Sequence, residues 1–273
     1  RTRRVGEGER NSTWSYTPGQ YYAVPDRFGT LAFAAGEAIP PRTVSRGADY
    51  RSPKPSVIPT PQSLEWKRGR FLPDGDTRIA PASEDLALPA QMLREDLDER
   101  FRLGLALDQG GRPGPNTISM RIAKGSDLPP GGYELSVKRD RIELAGADAR
   151  GVFYGAQTLR QMLGRDGNRP MFYACEVRDF SDTDWRAWHI RSYYASEPEE
   201  YRDFIDFLAL LKYNTLCLEV NDMLQYESHP EIARDGAPTK DQLREMIAYA
   251  RERHFRVFPQ LATFAHMEYV LNK

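Results

Sequence analysis

The chain has 273 residues, of which 40% are hydrophobic and 11% aromatic, and its formal net charge is −1. This composition is too apolar for a disordered chain, and the charge gives no overall bias toward nucleic acid or an anionic membrane. No run in the sequence approaches the roughly 18 apolar residues of a membrane span. The two cysteines, Cys175 and Cys217, exclude a disulfide scaffold and a four-cysteine zinc site, and we expect both to be free, buried thiols.

Residues 1–52 are predicted to be a tail or the remnant of a preceding element. They open with the basic run Arg1-Thr2-Arg3-Arg4, and within them only residues 29–34 resemble a short strand. A basic run at a terminus is more typical of a solvated end than of a nucleic-acid contact. Four prolines between residues 53 and 61 then predict a stiff, extended segment that leads into the next domain.

Residues 53–178 are predicted to form a small α+β domain of two layers. The expected elements are helices at about 86–101 and 149–163, and strands at 118–122, 133–137 and 142–144. The helices are indicated by apolar residues at a spacing of three and four, and the strands by alternation of apolar and polar residues. A polar turn at 138–141 predicts that the last two strands form an antiparallel hairpin, with the two helices on one face of the sheet.

Residues 179–273 change to alternating strands and helices. The expected elements are a strand at 186–190, a helix at about 198–213, a strand at 215–220, a helix opened by a capping box at Thr239, and a strand at 256–262. Short apolar strands separated by helices predict a parallel sheet buried on both faces. Three strands do not close a (β/α)8 TIM barrel, which needs roughly 250 residues. We therefore expect an α/β fold in which an incomplete barrel follows the first domain, in a fragment of a longer protein.

Candidate site residues follow from this architecture, because barrel active sites lie at the C-terminal ends of the strands. The residues flanking or leaving the three strands are Arg186, Arg191, Asp222, His266 and Glu268. A carboxylate, a histidine and an arginine on one face would bind a polar ligand such as a sugar. The alternative is structural, since such an aspartate is often a loop anchor and such a histidine a hydrogen-bonded scaffold residue. The spacing indicates no metal site, and no nucleotide-binding loop is present.

Several stretches of the chain carry a family resemblance over about residues 55–273. They are Gly132-Tyr133-Glu134-Leu135, residues 149–161 (ARGVFYGAQTLRQ), residues 185–190 (WRAWHI) and residues 211–216 (LKYNTL). Together they resemble β-N-acetylhexosaminidases of glycoside hydrolase family 20, the first two in the family's non-catalytic N-terminal α/β domain and the others in the start of its barrel. Residues 219–226 and 263–271 are most similar to the hexosaminidase D type.

The resemblance implies a retaining hydrolase that removes terminal N-acetyl-hexosamine, GlcNAc or GalNAc, from glycans or glycoconjugates without a cofactor or metal. In this family the acetamido oxygen of the sugar attacks the anomeric carbon, and a glutamic acid beside an aspartate protonates the leaving oxygen. That Asp-Glu pair follows the fourth strand, so no catalytic residue is expected in this chain. By matching, Arg186 would hold sugar hydroxyls, Asp222 and His266 would support the pocket, and Glu268 completes the expected substrate-binding set.

Two departures from the family pattern leave alternatives open. Arg191 stands where an aspartate is common after strand one, and Ala265 replaces a glycine. A second hypothesis is therefore a non-catalytic carbohydrate-binding or scaffold protein with a degenerate barrel. A third is a related O-GlcNAc-removing hydrolase that shares the accessory domain. The resemblance favours a secreted or periplasmic location, although the sequence contains no visible signal peptide.

Overall fold

The computed structural model of the chain describes residues 51–191 and 198–271. The predicted tail, including the strand expected at 29–34, lies outside these residues except at its last two positions. The strands are β1 (Ser63–Phe71), β2 (Arg78–Pro81), β3 (Ala106–Leu107), β4 (Thr117–Ile122), β5 (Tyr133–Val137), β6 (Arg141–Gly146), β7 (Gly164–Asp166), β8 (Arg169–Asp179), β9 (Ala187–Ile190), β10 (Thr215–Glu219) and β11 (Arg256–Gln260). The helices are α1 (Ala87–Phe101), α2 (Ala149–Met162), α3 (Pro198–Leu210), α4 (Lys240–Glu252) and α5 (Glu268–Leu271). In the described part of the chain, none of these helices has the length and apolar character to cross a membrane.

The first eight strands form one mixed sheet. Its order is β1-β8-β5-β6-β4-β2-β3, and β7 pairs with β8 off this path. Strands β5 and β6 are antiparallel, with Leu135 opposite Leu144, which confirms the predicted hairpin. Strands β2, β4 and β6 run parallel to one another. Arg51 forms an isolated bridge with Asp166 of β7, so the chain lies against this sheet from the first described residue.

Helix α2 packs unusually close to the sheet, and its glycines explain why. Its N-cap is Asp148, whose carboxylate accepts a hydrogen bond from the Gly151 amide at 2.7 Å. A Cβ atom at Gly151 would lie 2.2 Å from the carbonyl oxygen of Gly132, and one at Gly155 would lie 2.3 Å from Leu144 Cδ1. Gly151 is therefore required by close contact with the backbone just before β5, and Gly155 by close contact with side chains of β5 and β6.

The last three strands form a separate parallel sheet in the order β9-β10-β11, as predicted. The capping box that opens α4 is also confirmed, with the Thr239 and Gln242 side chains bonded reciprocally to each other's backbone amides. On one face Leu216 and Leu218 are fully buried. On the other face, which we call the open face, His189 and Phe258 are exposed and Cys217 is only partly buried.

The expectations of strands buried on both faces and of a buried Cys217 are therefore wrong. The physical reason is that, within the described residues, helices cover only the side of Leu216 and Leu218. Cys175, by contrast, is buried in β8 as expected, and burial raises the pKa of its thiol to about 12.

A buried polar network joins the two sheets. The Lys212 ammonium, which lies just after α3, is 2.9 Å from Asp179 Oδ2 at the end of β8 and donates to the Tyr133 hydroxyl at 2.9 Å. The Tyr133 hydroxyl donates to the same Asp179 oxygen at 2.8 Å and lies 2.6 Å from the Thr158 hydroxyl on α2. Burial lowers the pKa of Lys212, whereas the neighbouring Asp179 carboxylate raises it. Burial also raises the pKa of Tyr133, as does the Asp179 charge.

Lys212→Met tests the energetic weight of this network. The substitution keeps the length of the side chain and removes the ammonium, so Asp179 is left as an uncompensated buried charge. We expect the free energy of unfolding in urea to fall by about 3 kcal/mol or more. Asp179→Asn in the same chain should recover part of the loss. Lys124→Ala, at an exposed lysine, is the control and should cost less than about 0.5 kcal/mol. A loss below about 1 kcal/mol in Lys212→Met would show that the buried pair of Lys212 and Asp179 does not carry the stability assigned to it.

A second contact between the two parts predicts a pH dependence. The imidazole of His254, after α4, packs edge-on against the Phe153 ring of α2, with ring centroids 5.1 Å apart. Burial lowers the pKa of His254 from its ordinary value of 6.5; the Asp148 charge opposes this shift, and the Arg150 charge adds to it. The folded chain therefore favours neutral His254.

Because the pKa of His254 is lowered on folding, the unfolded chain takes up its proton first as the pH falls below about 6.5. Stability from this residue is present above that pH and is lost as the pH falls toward the folded pKa. His254→Asn removes the titration and suits the left-handed backbone at φ 64°. Between pH 7.5 and 5.5 the wild-type chain should lose more unfolding free energy than the variant. Equal losses would show that His254 does not contribute.

Candidate functional site

The C-terminal ends of β9, β10 and β11 lie at one edge of the parallel sheet, because the three strands run in the same direction. Asn221, just after β10, is buried and ties this edge together. Its Oδ1 accepts a hydrogen bond from the Ala262 amide after β11 at 2.8 Å, and its Nδ2 donates to Glu219 Oε1 at 2.8 Å. The loops that follow β10 and β11 are therefore held together by one amide side chain.

Three polar groups converge on the carboxylate of Glu219 at this edge. Besides Asn221, His189 Nε2 lies 3.3 Å from Glu219 Oε2, and Arg191 Nε donates to the same oxygen at 3.3 Å. The Glu219 side chain is 16% exposed, against 76% for Arg191. Our sequence reasoning did not assign Glu219 or His189. The sequence did contain a signal for Glu219, which is the charged residue of the largely apolar strand β10 and lies on the same face as Cys217.

Asp222 lies directly after β10, at the C-terminal edge where it was expected. Its carboxylate receives two parallel bonds from Arg234, Nε to Oδ2 at 2.9 Å and Nη2 to Oδ1 at 2.9 Å. The Arg234 amide also donates to the Asp222 carbonyl at 2.9 Å. This bidentate pair makes Asp222 an anchor of its own loop. Burial raises the pKa of the nearby Tyr226, with further contributions from Tyr269 and Asp222.

His266 and Glu268 lie in the segment that follows β11. His266 is exposed and has a left-handed backbone at φ 57°. Glu268 is exposed at the first position of α5. The Tyr269 hydroxyl donates to the Ala262 carbonyl at 2.6 Å, which folds this segment back toward the end of β11. Both residues thus belong to the same edge as Asp222, and their substrate-binding roles remain predictions.

Arg186 does not lie at this edge, and the prediction that it would reach the C-terminal ends with Asp222 and His266 is wrong. It precedes β9, and its Nε donates to the Lys212 carbonyl at 2.7 Å. Its Nη1 donates to Ser181 Oγ at 2.6 Å and to the Thr183 carbonyl at 2.8 Å. These partners precede β9 and β10, so the guanidinium is held at the N-terminal edge by loop oxygen atoms.

Other candidate sites are weaker. A groove of about 370 Å³ lies on the polar face of the eight-stranded sheet. Two of its carboxylates are already paired, Glu134 with Arg178 and Glu143 with Arg141 at 2.5 Å. Within residues 51–191 and 198–271, no group of three or more His, Cys, Asp or Glu side chains is arranged to hold a metal ion. The C-terminal edge of the parallel sheet is therefore the candidate site.

Comparison with known proteins finds similarity to glycoside hydrolase family 20. The family model described as glycosyl hydrolase family 20, domain 2, matches residues 54–180. A β-hexosaminidase of Porphyromonas gingivalis is 23% identical over 236 residues, which is 77% of this chain and 30% of the relative. A solved family 20 β-N-acetylglucosaminidase is 31% identical, with a TM-score of 0.60 over 75% of this chain and 42% of that one.

A further solved structure, the family 20 β-N-acetylhexosaminidase of Streptomyces coelicolor, is 26% identical with a TM-score of 0.69. The match covers 81% of this chain and 49% of that chain. The chain thus spans between about a third and a half of the length of these relatives. The similarity extends beyond the matched family 20 domain 2, because the shares covered exceed residues 54–180.

Asn221→Ala tests whether one side chain joins the two loops of the candidate site. The variant leaves the partly buried Ala262 amide without its acceptor, which costs about 1 kcal/mol locally. We expect hydrogen exchange at Ala262 to accelerate by roughly fivefold or more, while exchange in α2 is unchanged. Gln91→Ala, which removes a hydrogen bond on the surface of α1, is the matched control. Unchanged exchange at Ala262 in Asn221→Ala would contradict the role of Asn221.

Proposed function

We propose that this chain, a glycoside hydrolase family 20 β-N-acetylhexosaminidase-like protein, is part of a retaining hydrolase that removes terminal N-acetyl-hexosamine from glycans or glycoconjugates. The observation that carries the proposal is the order of the two parts. A domain that matches family 20, domain 2 is followed directly by parallel strands with polar side chains at their C-terminal edge. Substrate binding at that edge is the rule for barrels built from such units.

The proposed domain organisation has three parts, at residues 1–52, 53–178 and 179–273. In the last part, β9, β10 and β11 would be the first strands of a (β/α)8 barrel. Two features support this assignment. The helices lie on one side of the sheet. On β10, Cys217 and Glu219 of the open face alternate with the buried leucines, and on β9 His189 precedes the buried Ile190, as barrel strands alternate interior and exterior positions. The open face would then line the barrel interior.

The proposed reaction is substrate-assisted. The acetamido oxygen of the bound sugar would attack the anomeric carbon, and a glutamic acid after the fourth barrel strand would protonate the leaving oxygen. In this chain Asp222, His266 and Glu268 would contribute to sugar binding from the loops after β10 and β11. Arg186 is assigned to the junction between the two sheets instead, since its donors are engaged there.

The non-catalytic alternative rests on the two departures, Arg191 and Ala265. For Arg191 a specific contact bears on the choice, because its guanidinium pairs with Glu219 at 3.3 Å. The charge of Arg191 is therefore compensated by a carboxylate on the neighbouring strand. The presence of Arg191 is consistent with a functional polar ligand site as well as with a degenerate barrel. Enzyme and binding protein differ in turnover, which the following experiment measures.

The 273-residue chain and the full-length natural gene product should differ in activity on a chromogenic N-acetyl-glucosaminide. We expect the full-length product to be active and the chain by itself to be inactive, because the general acid, which contributes about 10²–10⁴-fold, would come from the fourth strand. A glucoside without the acetamido group is the control and should not be cleaved.

Turnover by the 273-residue chain that is abolished by Glu268→Gln or Asp222→Asn would overturn the placement of the acid outside this chain. Binding of GlcNAc by a full-length product that shows no turnover would favour the carbohydrate-binding alternative.

A further inference from the structure

We infer that Glu219 is a positioning residue, which holds His189 and Arg191 so that the outer polar atoms of both side chains bind hydroxyl groups of the terminal N-acetyl-hexosamine. The inference rests on the proposed function and names side chains of the same site that the family resemblance does not assign. It replaces Arg186, which lies at the opposite edge, with a different guanidinium at the candidate site.

The geometry around Glu219 places one carboxylate behind two donors. Its Oε1 is occupied by Asn221, and its Oε2 lies 3.3 Å from both His189 Nε2 and Arg191 Nε. The side chains of His189 and Arg191 are 41% and 76% exposed, against 16% for Glu219. The carboxylate therefore fixes the inner ends of two side chains whose outer ends face the open face of the sheet.

The outer ends keep polar atoms for a ligand, N–H donors on Arg191 and an acceptor nitrogen on His189. Arg191 uses its Nε, and within the described residues its two terminal amino groups make no hydrogen bond. A guanidinium presents these N–H groups in a planar fork, which suits pairs of oxygen atoms fixed by a ring. With the Nε2–H of a neutral His189 directed at Glu219, Nδ1 carries no hydrogen and can accept a hydrogen bond from a ligand hydroxyl group. Neighbouring hydroxyl groups of a pyranose are the ligand chemistry that this fork fits.

The network spans all three parallel strands, which distinguishes it from a surface ion pair. His189 lies on β9, Arg191 follows it directly, and Glu219 lies on β10. The Ala262 amide after β11 fixes the Asn221 side chain that supports Glu219. An isolated exposed pair would leave both partners free to move and would contribute little. Here the carboxylate is held by Asn221 on its other side, so the two side chains are oriented before a ligand arrives, which lowers the entropic cost of binding.

The test uses the full-length natural gene product, with GlcNAc as the probe for equilibrium binding by calorimetry and the chromogenic N-acetyl-glucosaminide for turnover. In Glu219→Gln, one of the two carboxylate oxygens becomes an NH2 group. The side chain can then no longer accept from Asn221 on one side and face the N–H groups of His189 and Arg191 with an oxygen on the other. We expect the Kd for GlcNAc to rise about tenfold or more, with KM for the chromogenic substrate rising in parallel. Arg191→Met, at an exposed side chain that does not threaten folding, should have a similar effect. Glu245→Gln, at an exposed residue of α4, is the matched control and should leave Kd and KM unchanged.

The double variant separates positioning from independent contributions. If Glu219 acts through Arg191, Glu219→Gln combined with Arg191→Met should raise the Kd no more than the larger single effect. Melting temperatures close to that of the wild-type protein would exclude unfolding as the cause. A multiplicative double effect, or an unchanged Kd in Glu219→Gln, would overturn the inference.

The two measurements also keep this inference apart from the proposed function. If the wild-type protein cleaves the substrate and Glu219→Gln leaves Kd and KM unchanged, the inference is overturned and the hydrolase proposal stands. GlcNAc binding that is lost in Glu219→Gln, in a protein without turnover, would support the inference and overturn the hydrolase proposal. A wild-type protein that neither binds GlcNAc nor cleaves the substrate would overturn both.

Discussion

The buried pair of Lys212 and Asp179 is the constraint on which the arrangement of the two sheets depends. Each ion needs the other, because an uncompensated charge at this depth costs several kcal/mol. The pair places the turn after α3 against the end of β8, and Tyr133 adds a third partner from β5. From that turn the Lys212 carbonyl and the Asn214 side chain both bind Arg186. The N-terminal edge of the parallel sheet is thus anchored to the eight-stranded sheet.

Anchoring at one edge leaves the opposite edge for a ligand. At the C-terminal edge the polar side chains are bound to one another across strands, through Asn221, Glu219 and Arg191, rather than to the eight-stranded sheet. The same division is general in barrels built from parallel β/α units, where residues at the N-terminal ends of the strands stabilise the fold and residues at the C-terminal ends carry out the chemistry. The most distinctive sequence stretch of the chain, at residues 149–161, serves packing. Its Gly151 lets α2 approach the backbone before β5, and its Gly155 lets α2 approach the side chains of Leu144 and Tyr133.

Local patterns predicted local structure well. The hairpin of β5 and β6 follows from strict alternation around a polar turn, and α4 follows from the Thr239 capping box. Strand β1 was missed because Ser63–Phe71 is rich in charged residues and its partner, β8, lies about a hundred residues later. Arg186 was misplaced because its position before a strand does not reveal which loop oxygens its guanidinium binds. Glu219 was missed because its partners, His189 on β9 and Arg191 just after β9, are about 30 residues away in the sequence.

A structure of the full-length natural gene product with bound GlcNAc tests the central claim most directly. The account predicts that β11 continues into a fourth parallel strand and that the sugar lies at the C-terminal edge of β9, β10 and β11, with Arg191 within hydrogen-bond distance of a hydroxyl oxygen and Arg186 still bound to the Lys212 carbonyl. A sugar bound on the eight-stranded sheet, or a three-stranded sheet that ends at β11 with its open face covered by other elements, would contradict it.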